Sequence, residues 1–205
     1  MKRKEKKTEA PRIVARAQLP TKYGRFTILG IEASKADESA VVLQHGKICG
    51  DEIPLVRIHS QCLTGDVFHS QRCDCRAQLE LALRKTGLAR CGLVIYLPQE
   101  GRGIGLMNKL RAYELQDRGM DTVEANRKLG FAADDRDYRF CAATLKLLGA
   151  RRIRLMSNNP DKVRQLEREG IRIVERVPCQ PRTNQRTRGY LMTKKDKMGH
   201  LLELE

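Results

Sequence analysis

The sequence predicts an α/β protein in which barrel-like N-terminal antiparallel strands lead into a mixed sheet flanked by helices, a three-layer α/β/α core. Two observations predict this arrangement. Up to residue 58, short runs of alternating apolar residues are broken by turn residues, a pattern typical of antiparallel strands. After Cys75, apolar residues recur with the helical period, and from residue 153 strand-like and helix-like segments alternate.

Each predicted element rests on its own pattern of apolar residues. The first half predicts strands at 26–28, 41–43 and 55–58, with a turn at His45 and Gly46. The second half begins with a predicted helix that carries Leu79 and Leu83 and ends near Gly87, followed by a strand at 93–97. A second helix carries Leu106, Leu110 and Tyr113 and stops at Gly119. The remaining predicted elements are a helix at 137–148, a strand at 153–156, a helix at 161–169 and a strand at 171–174.

Length and charge restrict the classes of protein to which the chain can belong. Its 205 residues fill one large domain or two small ones, and the net charge of +15 points to an anionic partner such as nucleic acid, acidic lipid or a polyphosphate. We expect a flexible basic tail over residues 1–18 and a single domain over residues 19–205. No apolar signal core follows the charged start and no segment is apolar enough to span a membrane, so we expect a cytoplasmic protein that does not bind membranes.

Three of the seven cysteines follow the spacing C-x10-C-x-C, at Cys62, Cys73 and Cys75. Three thiolates on a zinc ion leave its fourth tetrahedral position open, which distinguishes a catalytic from a structural zinc site. The alternatives are a structural site closed by His59, a disulfide framework, and simple packing in the core; a cytoplasmic chain disfavours the disulfides. We expect the other thiols to be packed and inert, namely Cys49, Cys91, Cys141 and Cys179.

A glycine-rich turn follows the predicted strand at 93–97 and opens the next helix. Glycines at 101, 103 and 105 let the backbone approach a ligand closely, and the N-terminus of the following helix favours an anion. Glu100 and Arg102 in this turn are suited to reading the donor edge of a purine and to holding a phosphate. A plain tight turn would also explain the glycines, whose spacing differs from that of dinucleotide-binding folds.

Two further polar segments precede predicted helices. Residues 131–137 place three carboxylates around Arg136, and residues 157–162 offer hydroxyl, amide and ammonium groups that could close around phosphate oxygens. Helix capping by acidic residues explains the first segment adequately, and a strand-to-helix turn with an asparagine cap explains the second.

Together these segments resemble the GTP cyclohydrolase II family, zinc enzymes that open the guanine ring at the start of riboflavin biosynthesis. The matching strings are R-I-H-S-Q-C-L-T-G-D, R-C-D-C, Q-E-G-R-G-I-G-L, R-A-Y-E-L-Q-D, D-T-V-E-A-N, F-A-A-D-D-R-D, N-N-P-D-K-V and K-M-G-H-L-L. They run from about Leu19 to Leu202, so the resemblance implies that residues 19–205 form a single catalytic domain of this family.

The reaction implied by the resemblance is the zinc-dependent hydrolysis of GTP at C8 of guanine. Cys62, Cys73 and Cys75 would hold one zinc ion per chain, and Mg²⁺ would accompany the triphosphate. Formate and pyrophosphate would leave, giving 2,5-diamino-6-hydroxy-4-(5-phosphoribosylamino)pyrimidine, the first step of riboflavin biosynthesis. The resemblance also implies a homodimer.

The resemblance implies roles for further residues. Asp134 corresponds to the family's proton acceptor and Tyr113 to a tyrosine near the active site. Arg136 corresponds to the nucleophile toward the α-phosphorus; because a guanidinium stays protonated, electrostatic stabilisation of that phosphate is the role we expect from its chemistry. The expected GTP contacts are Arg57, Ile58, His59, Ser60, Gln61, Gln78, Glu100, Gly101, Arg102, Thr122, Ser157 and Lys162.

Four positions depart from the wording of the family: Gln61 stands where Glu is usual, Arg76 where Gly is usual, Met120 where Tyr is usual and Ser157 where Thr is usual. Met120 removes a phenol able to orient water or a formyl group, so one alternative is an enzyme of this family that releases the formylated intermediate without formate. A second alternative, motivated by the charge, is a zinc-stabilised nucleic-acid-binding protein, although we do not expect nucleic acid as the partner. The H-x-E and P-C-x-x-C strings of nucleobase deaminases are absent from the sequence.

Overall fold

The computed structural model describes residues 10–33, 38–132, 134, 136–181 and 185–202, without the side chains of 185, 186 and 188–190. Within these residues, seven strands form one sheet in the order β1-β2-β3-β5-β4-β6-β7. The strands are β1 Arg12–Thr21, β2 Gly24–Glu32, β3 Ser39–His45, β4 Leu55–Ser60, β5 Gly92–Leu97, β6 Arg152–Met156 and β7 Arg172–Val177.

The helices of the described residues alternate with the strands of the second half. They are α1 Leu63–Asp66, α2 Cys75–Leu88, α3 Leu106–Asp117, α4 Thr122–Lys128, α5 Arg139–Leu147, α6 Pro160–Arg168 and α7 Gln185–Met198, with a 3₁₀ turn at Glu100–Gly103. The predicted helices are confirmed as α2, α3, α5 and α6, and the asparagine cap is confirmed at Asn159, whose Oδ1 accepts from the backbone N of Asp161 at 2.9 Å. The helices α1, α4 and α7 were not predicted. No helix of the described residues is long and apolar enough to span a membrane.

The sheet is antiparallel on one side and parallel on the other. The strands β1, β2, β3 and β5 pair antiparallel, whereas β4 pairs parallel with both β5 and β6, and β6 pairs parallel with β7. The expectation of antiparallel strands up to residue 58 is therefore wrong for β4. Its residues Leu55 to His59 are all buried, the continuous burial typical of a parallel strand covered on both faces.

Helices cover both faces of the parallel side, which confirms the three-layer α/β/α core. Val56 and Ile58 pack in one core cluster with residues of α5 and α6, whereas Leu55 packs in a second cluster with residues of α2. Alternate residues of a strand point to opposite faces, so the two clusters lie on opposite sides of the sheet.

The structure corrects two expectations for the N-terminal part. The sheet is open, with β1 and β7 at its two ends, so the barrel-like arrangement is wrong. Residues 12–18 of the predicted tail belong to β1, which pairs with β2 along its length. Every side chain of β1 is exposed or half-exposed. Backbone hydrogen bonds hold the strand in the sheet, and a search for buried apolar residues cannot detect them. Residues 1–9 of the predicted tail lie outside the described residues.

Candidate active site

The main pocket lies at the carboxyl ends of the parallel strands. The strand β4 has β5 on one side and β6 on the other, so the connection after β4 and the connection after β5 run in opposite directions across the sheet. Such a divergence opens a crevice outside the strand ends, the usual ligand site of an open α/β sheet. Each segment that follows one of these strands contributes residues to the pocket: Cys62 after β4, Glu100 after β5 and Ser157 after β6.

Three thiols meet on what we term the metal side of the pocket, formed by Cys62, Cys73, Cys75 and Gly65. The three sulfur atoms lie within 4.8 Å of one another, and the Sγ atoms of Cys62 and Cys73 are 3.7 Å apart. Two thiolates bound to tetrahedral zinc at about 2.3 Å lie about 3.8 Å apart, so the spacing fits that ion. These cysteines could therefore hold a metal ion.

Gly65 explains how three thiols fit so closely around one point. A Cβ at this position would lie 3.0 Å from the Sγ of Cys73 and 3.1 Å from the Sγ of Cys62. Contacts this short would push the sulfur atoms away, so the absence of a side chain lets α1 pack directly beneath the cluster.

His59 does not join the cysteines as a fourth ligand. It is 2% exposed, and its Nε2 donates to both carboxylate oxygens of Asp66 at 3.1 and 3.2 Å. Burial lowers the pKa of His59 against the opposing effect of Asp66, so the ring is neutral at physiological pH. The metal-capable group found among the described residues consists of the three cysteines alone, which leaves a fourth coordination position open.

Asp66 is an organising residue that the sequence did not reveal. Besides His59, its carboxylate accepts from the hydroxyl of Tyr96 at 2.9 Å and from the backbone N of Cys62 at 3.0 Å. Asp66 is not among the residues that line the pocket, and its three donors fix the loop that carries Cys62. Asp66 lies four residues after Cys62, at the end of α1, and this spacing is the sequence signal that could have predicted its role.

The thiols share their charge unequally in the structure. Hydrogen bonds from the Cys73 and Cys75 thiols, with help from Lys109, lower the pKa of Cys62. The hydrogen bond with Cys62 in turn raises the pKa of Cys73 to about 11. One thiolate therefore forms easily, and a cation is needed before all three are deprotonated together.

The glycine-rich turn brings Glu100 and Arg102 into the pocket. Gly101 and Arg102 both have left-handed backbones, with φ of 61° and 62°. Glu100 is buried, and its Oε2 accepts from the backbone N of Leu63 at 2.7 Å, so the turn is tied to the segment that follows Cys62. Left-handed φ is costly for arginine, which marks this turn as a strained, site-specific conformation rather than a plain tight turn.

Basic side chains also line the pocket, and we term this group the cationic side: Arg57, Arg136, Lys162 and Lys194, the last of which donates to Asp74 Oδ1 at 2.9 Å. Arg57 donates to the backbone O of Met156 at 3.0 Å and to Gln78 Oε1 at 2.6 Å. Lys162 donates to the backbone O of Ile58 at 2.8 Å, and burial, followed by the charges of Arg57 and Arg136, lowers the pKa of Lys162. An anion placed here would relieve this repulsion.

Asp134 and Arg136 form a bidentate ion pair, with Arg136 Nε donating to Asp134 Oδ1 at 2.8 Å. Burial acts to raise the pKa of Asp134, but the hydrogen bonds and charge of Arg136 outweigh it and lower that pKa. Arg136 lines the pocket, whereas Asp134 is not among the residues that line it. Both groups are therefore held in their charged forms.

The structure brings nearly all of the predicted side chains together. Those that line the pocket are Arg57, His59, Ser60, Gln61, Cys62, Cys73, Cys75, Gln78, Glu100, Gly101, Arg102, Tyr113, Thr122, Arg136, Ser157 and Lys162. Ile58 does not: its side chain lies in the core, and only its backbone O meets a site residue, Lys162. The Tyr113 hydroxyl lies 3.2 Å from the Thr64 hydroxyl, on the metal side.

The four departures from the family wording fall in different surroundings. Gln61 and Ser157 line the pocket, whereas Met120 is half-buried after α3 and does not line it. Arg76 lies in the first turn of α2, where its guanidinium donates to the backbone O of Asp66 at 2.7 Å and to Glu80. A helical backbone suits any side chain, so glycine is not needed there.

Several pocket residues were missed in the sequence. Among them are Arg72, Gln99, Lys109, Asn126, Lys194, Met198 and His200. Lys109 had a signal, because it lies four residues before Tyr113 on the same face of a helix. Met198 and His200 lie in the string K-M-G-H-L-L that resembles the family, whereas Lys194 lies outside the matching strings and reaches the site only through folding. Of the remaining thiols, Cys91, Cys141 and Cys179 are buried as expected, whereas Cys49 is exposed.

Comparison with known proteins agrees with this geometry. A family model described as GTP cyclohydrolase II matches residues 11–178. The GTP cyclohydrolase-2 of Buchnera aphidicola subsp. Acyrthosiphon pisum (strain APS) is 50% identical over 190 residues, covering 93% of this chain and 98% of the relative. That of Cronobacter sakazakii (strain ATCC BAA-894) is 53% identical over 189 residues, covering 92% of this chain and 96% of the relative.

Likeness to solved structures is much weaker. A two-domain 3,4-dihydroxy-2-butanone 4-phosphate synthase from A. baumannii is similar over 74% of this chain and 35% of its own, with 14% identity and a TM-score of 0.36, too distant to bear on function. The matched family and the close relatives decide the assignment, and the chain belongs to the GTP cyclohydrolase II family.

Proposed function

We propose that this protein hydrolyses GTP at C8 of guanine and releases formate and pyrophosphate, giving 2,5-diamino-6-hydroxy-4-(5-phosphoribosylamino)pyrimidine as the first step of riboflavin biosynthesis. The observation that carries the proposal is one pocket lined by three thiols spaced for zinc, by Glu100 and by a group of basic side chains. In such a pocket, a metal ion can contact the base of a nucleotide while basic side chains contact its phosphates.

Zinc is the metal that suits the thiols best, since thiolates bind zinc and three protein ligands with an open position are typical of a catalytic zinc site. When bound, zinc supplies a water that ionises near neutral pH and can act as a nucleophile. Cys62, Cys73 and Cys75 would hold it, and Asp66 keeps the Cys62 loop in place through the backbone N of Cys62. The Tyr113 hydroxyl, which lines the pocket and contacts the Thr64 hydroxyl, can donate to an oxygen that appears as the ring opens.

Glu100 is the group suited to reading guanine. A carboxylate accepts hydrogen bonds, and the N1 and 2-amino groups of guanine are donors. Both oxygens of Glu100 are anchored, Oε2 by the backbone N of Leu63 and Oε1 by the backbone N of Gly101 at 2.9 Å. The carboxylate is therefore preorganised beside the metal side, where the base must lie for C8 to be attacked.

The cationic side would hold the triphosphate. Lys162 is a buried ammonium whose pKa burial has lowered, so a phosphate nearby would stabilise its protonated form. Mg²⁺, with its preference for phosphate and water oxygens, would accompany the triphosphate as part of the substrate.

Arg136 acts on the α-phosphate through its charge in our proposal, and not as a nucleophile. Its bidentate pair with Asp134 holds the guanidinium protonated, and a protonated guanidinium has no lone pair to donate. The same pair lowers the pKa of Asp134, which suits an anion that orients Arg136 better than a strong base.

The complete reaction is favoured over an arrest at the formylated intermediate. Met120, the residue that motivated the arrest, does not line the pocket, whereas the Tyr113 hydroxyl does. We also propose a single catalytic domain, a homodimer and a cytoplasmic location, which the family resemblance supports.

Incubation of the zinc-loaded protein with GTP and Mg²⁺ tests the function directly. We expect formate and pyrophosphate in equal amounts and a product mass that lacks the formyl group. Pyrophosphate without formate would favour the arrested reaction. Neither product, together with salt-sensitive binding to a polynucleotide, would instead favour the nucleic-acid-binding alternative.

A further inference from the structure

Lys109 is a buried lysine at the junction between the metal side and the glycine-rich turn. It lies on α3 with 8% of its surface exposed. Its ammonium group donates to the Sγ of Cys62 at 3.2 Å and to Oε1 of Glu100 at 2.7 Å, and it lies 5.7 Å from the centre of the Tyr113 ring. A single cation thus contacts a metal-ligating thiol and the carboxylate suited to guanine.

We propose that Lys109 is a positioning residue that couples the metal centre to the guanine-reading carboxylate. The inference rests on the proposed function for the role of Glu100, and on geometry alone for the contact with Cys62. Three thiolates around a divalent cation leave one net negative charge, and Glu100 adds a second one a short distance away. Lys109 lies between them and offsets their repulsion.

The ammonium group of Lys109 is held in place by its two acceptors. It forms an ion pair with Glu100 at 2.7 Å and donates to the Sγ of Cys62 at 3.2 Å. A charged donor on a thiolate sulfur withdraws electron density from it and orients its lone pairs, as hydrogen-bond partners of metal ligands generally do. The contact therefore tunes the metal centre as well as placing Cys62.

The two backbone donors to Glu100 define what Lys109 adds. The backbone N atoms of Leu63 and Gly101 already place the carboxylate, so Lys109 is not needed to anchor it. Its contribution is to keep the carboxylate and the thiolate close together, which sets the distance between the base and the metal. Loss of Lys109 would thus weaken metal binding and nucleotide binding together. Loss of a residue that only packs in the core would not act on these two properties in particular.

The test compares Lys109→Met, Lys109→Arg and, as a matched control, Lys128→Met, which removes an exposed lysine on α4. Cobalt-loaded protein gives a thiolate-to-metal charge-transfer band, and competition with a chelator gives the zinc affinity. We expect Lys109→Met to shift the band and weaken zinc binding by about 10- to 100-fold, the range typical of partners of metal ligands. Lys109→Arg should restore most of both, and Lys128→Met should match the unmodified protein.

Kinetics with GTP separate the coupling from a local effect on the metal. At saturating zinc, we expect Lys109→Met to raise KM for GTP and to lower kcat. In a protein that already carries Glu100→Gln, we expect Lys109→Met to raise KM by a smaller factor. Additive effects of the two substitutions on KM would overturn the coupling.

Failure of the inference can be told from failure of the proposed function. An unchanged cobalt band and zinc affinity in Lys109→Met would overturn the role of Lys109, whatever the enzyme does with GTP. A shifted band in a protein that never turns over GTP would keep the metal role and overturn the guanine role together with the proposed function. Should Lys109→Met fail to fold, Lys109→Gln, which retains an amide donor, replaces it in the same measurements.

Discussion

The metal side and the cationic side of the pocket are built in opposite ways. All three cysteines of the metal side come from one stretch between Cys62 and Cys75, whereas the cationic side draws on residues as far apart as Arg57 and Lys194. The first is a local structure that a short segment can specify by spacing alone. The second exists only because the parallel strands end side by side, so it depends on the whole fold.

The two sides also differ in what each needs from a ligand. The metal side collects thiols that lose their protons together only in the presence of a cation. The cationic side collects basic groups and holds Lys162 with a lowered pKa, so it needs an anion. A magnesium nucleotide at a zinc centre satisfies both, and substitutions on either side should therefore have separable effects.

The largest effect is expected on the metal side. Cys73→Ser removes one of three sulfur donors, and we expect formate production to fall by at least about 100-fold, beyond the range typical of indirect partners. Zinc content by atomic absorption after dialysis against a chelator should fall with it. Cys49→Ser, at an exposed thiol, serves as the control and should retain zinc and activity. Full zinc retention by Cys73→Ser would contradict the assignment of the metal side.

Removing one ammonium from the cationic side should weaken nucleotide binding and spare the metal. Hydrogen bonds to charged groups contribute about 1.5–3 kcal/mol, so Lys162→Met should raise KM for GTP by about 10- to 150-fold. Zinc content measured in the same preparation should stay at the unmodified level. A parallel loss of zinc would show that the two sides are not independent.

Asp66→Asn tests the support beneath the metal side. The amide would present a donor to groups that already donate, His59, Tyr96 and the backbone N of Cys62, and such a mismatch costs about 1–3 kcal/mol. We expect a fall in the melting temperature of about 2–12 °C and zinc binding weakened by about tenfold. Differential scanning fluorimetry and chelator competition measure the two effects. A variant with unchanged zinc affinity would limit Asp66 to a structural role.

Arg76→Gly should have the smallest effect. It introduces the residue usual in the family, but glycine in a helix costs about 0.5–1 kcal/mol, and the bond to the backbone O of Asp66 is lost with the side chain. We expect a small loss in the free energy of unfolding by urea and turnover within about twofold of the unmodified enzyme. A large gain in turnover would mean that Arg76 hinders the metal side.

The contrast between the two sides also explains how far the sequence could predict this molecule. The spacing of Cys62, Cys73 and Cys75 predicted the metal donors, and the turn at Glu100 predicted a ligand contact, because both are local patterns. Lys194 gave no comparable signal, since its side chain reaches the pocket through tertiary contacts. Asp66 was hidden for a different reason: a carboxylate near cysteines has many explanations until its three donors are seen.

The same distinction holds for the fold. The buried strands and amphipathic helices were predicted by their apolar period, whereas β1 was taken for tail because its side chains are exposed. The direction of β4 depended on its neighbours β5 and β6, which lie far along the chain. Sequence pattern therefore predicted which segments are regular better than it predicted how they pair.

The compact segment from Cys62 to Cys75 has a consequence for the order of events during synthesis. A ribosome releases these three thiols well before it adds Ser157, Lys162 or Lys194. The nascent chain thus presents a full set of sulfur donors while most of the parallel sheet is still missing, and it is exposed at that time to oxidation or to the wrong metal. Safe metal loading in the cell therefore depends on how quickly later parts of the pocket, such as Lys109, fold against this segment.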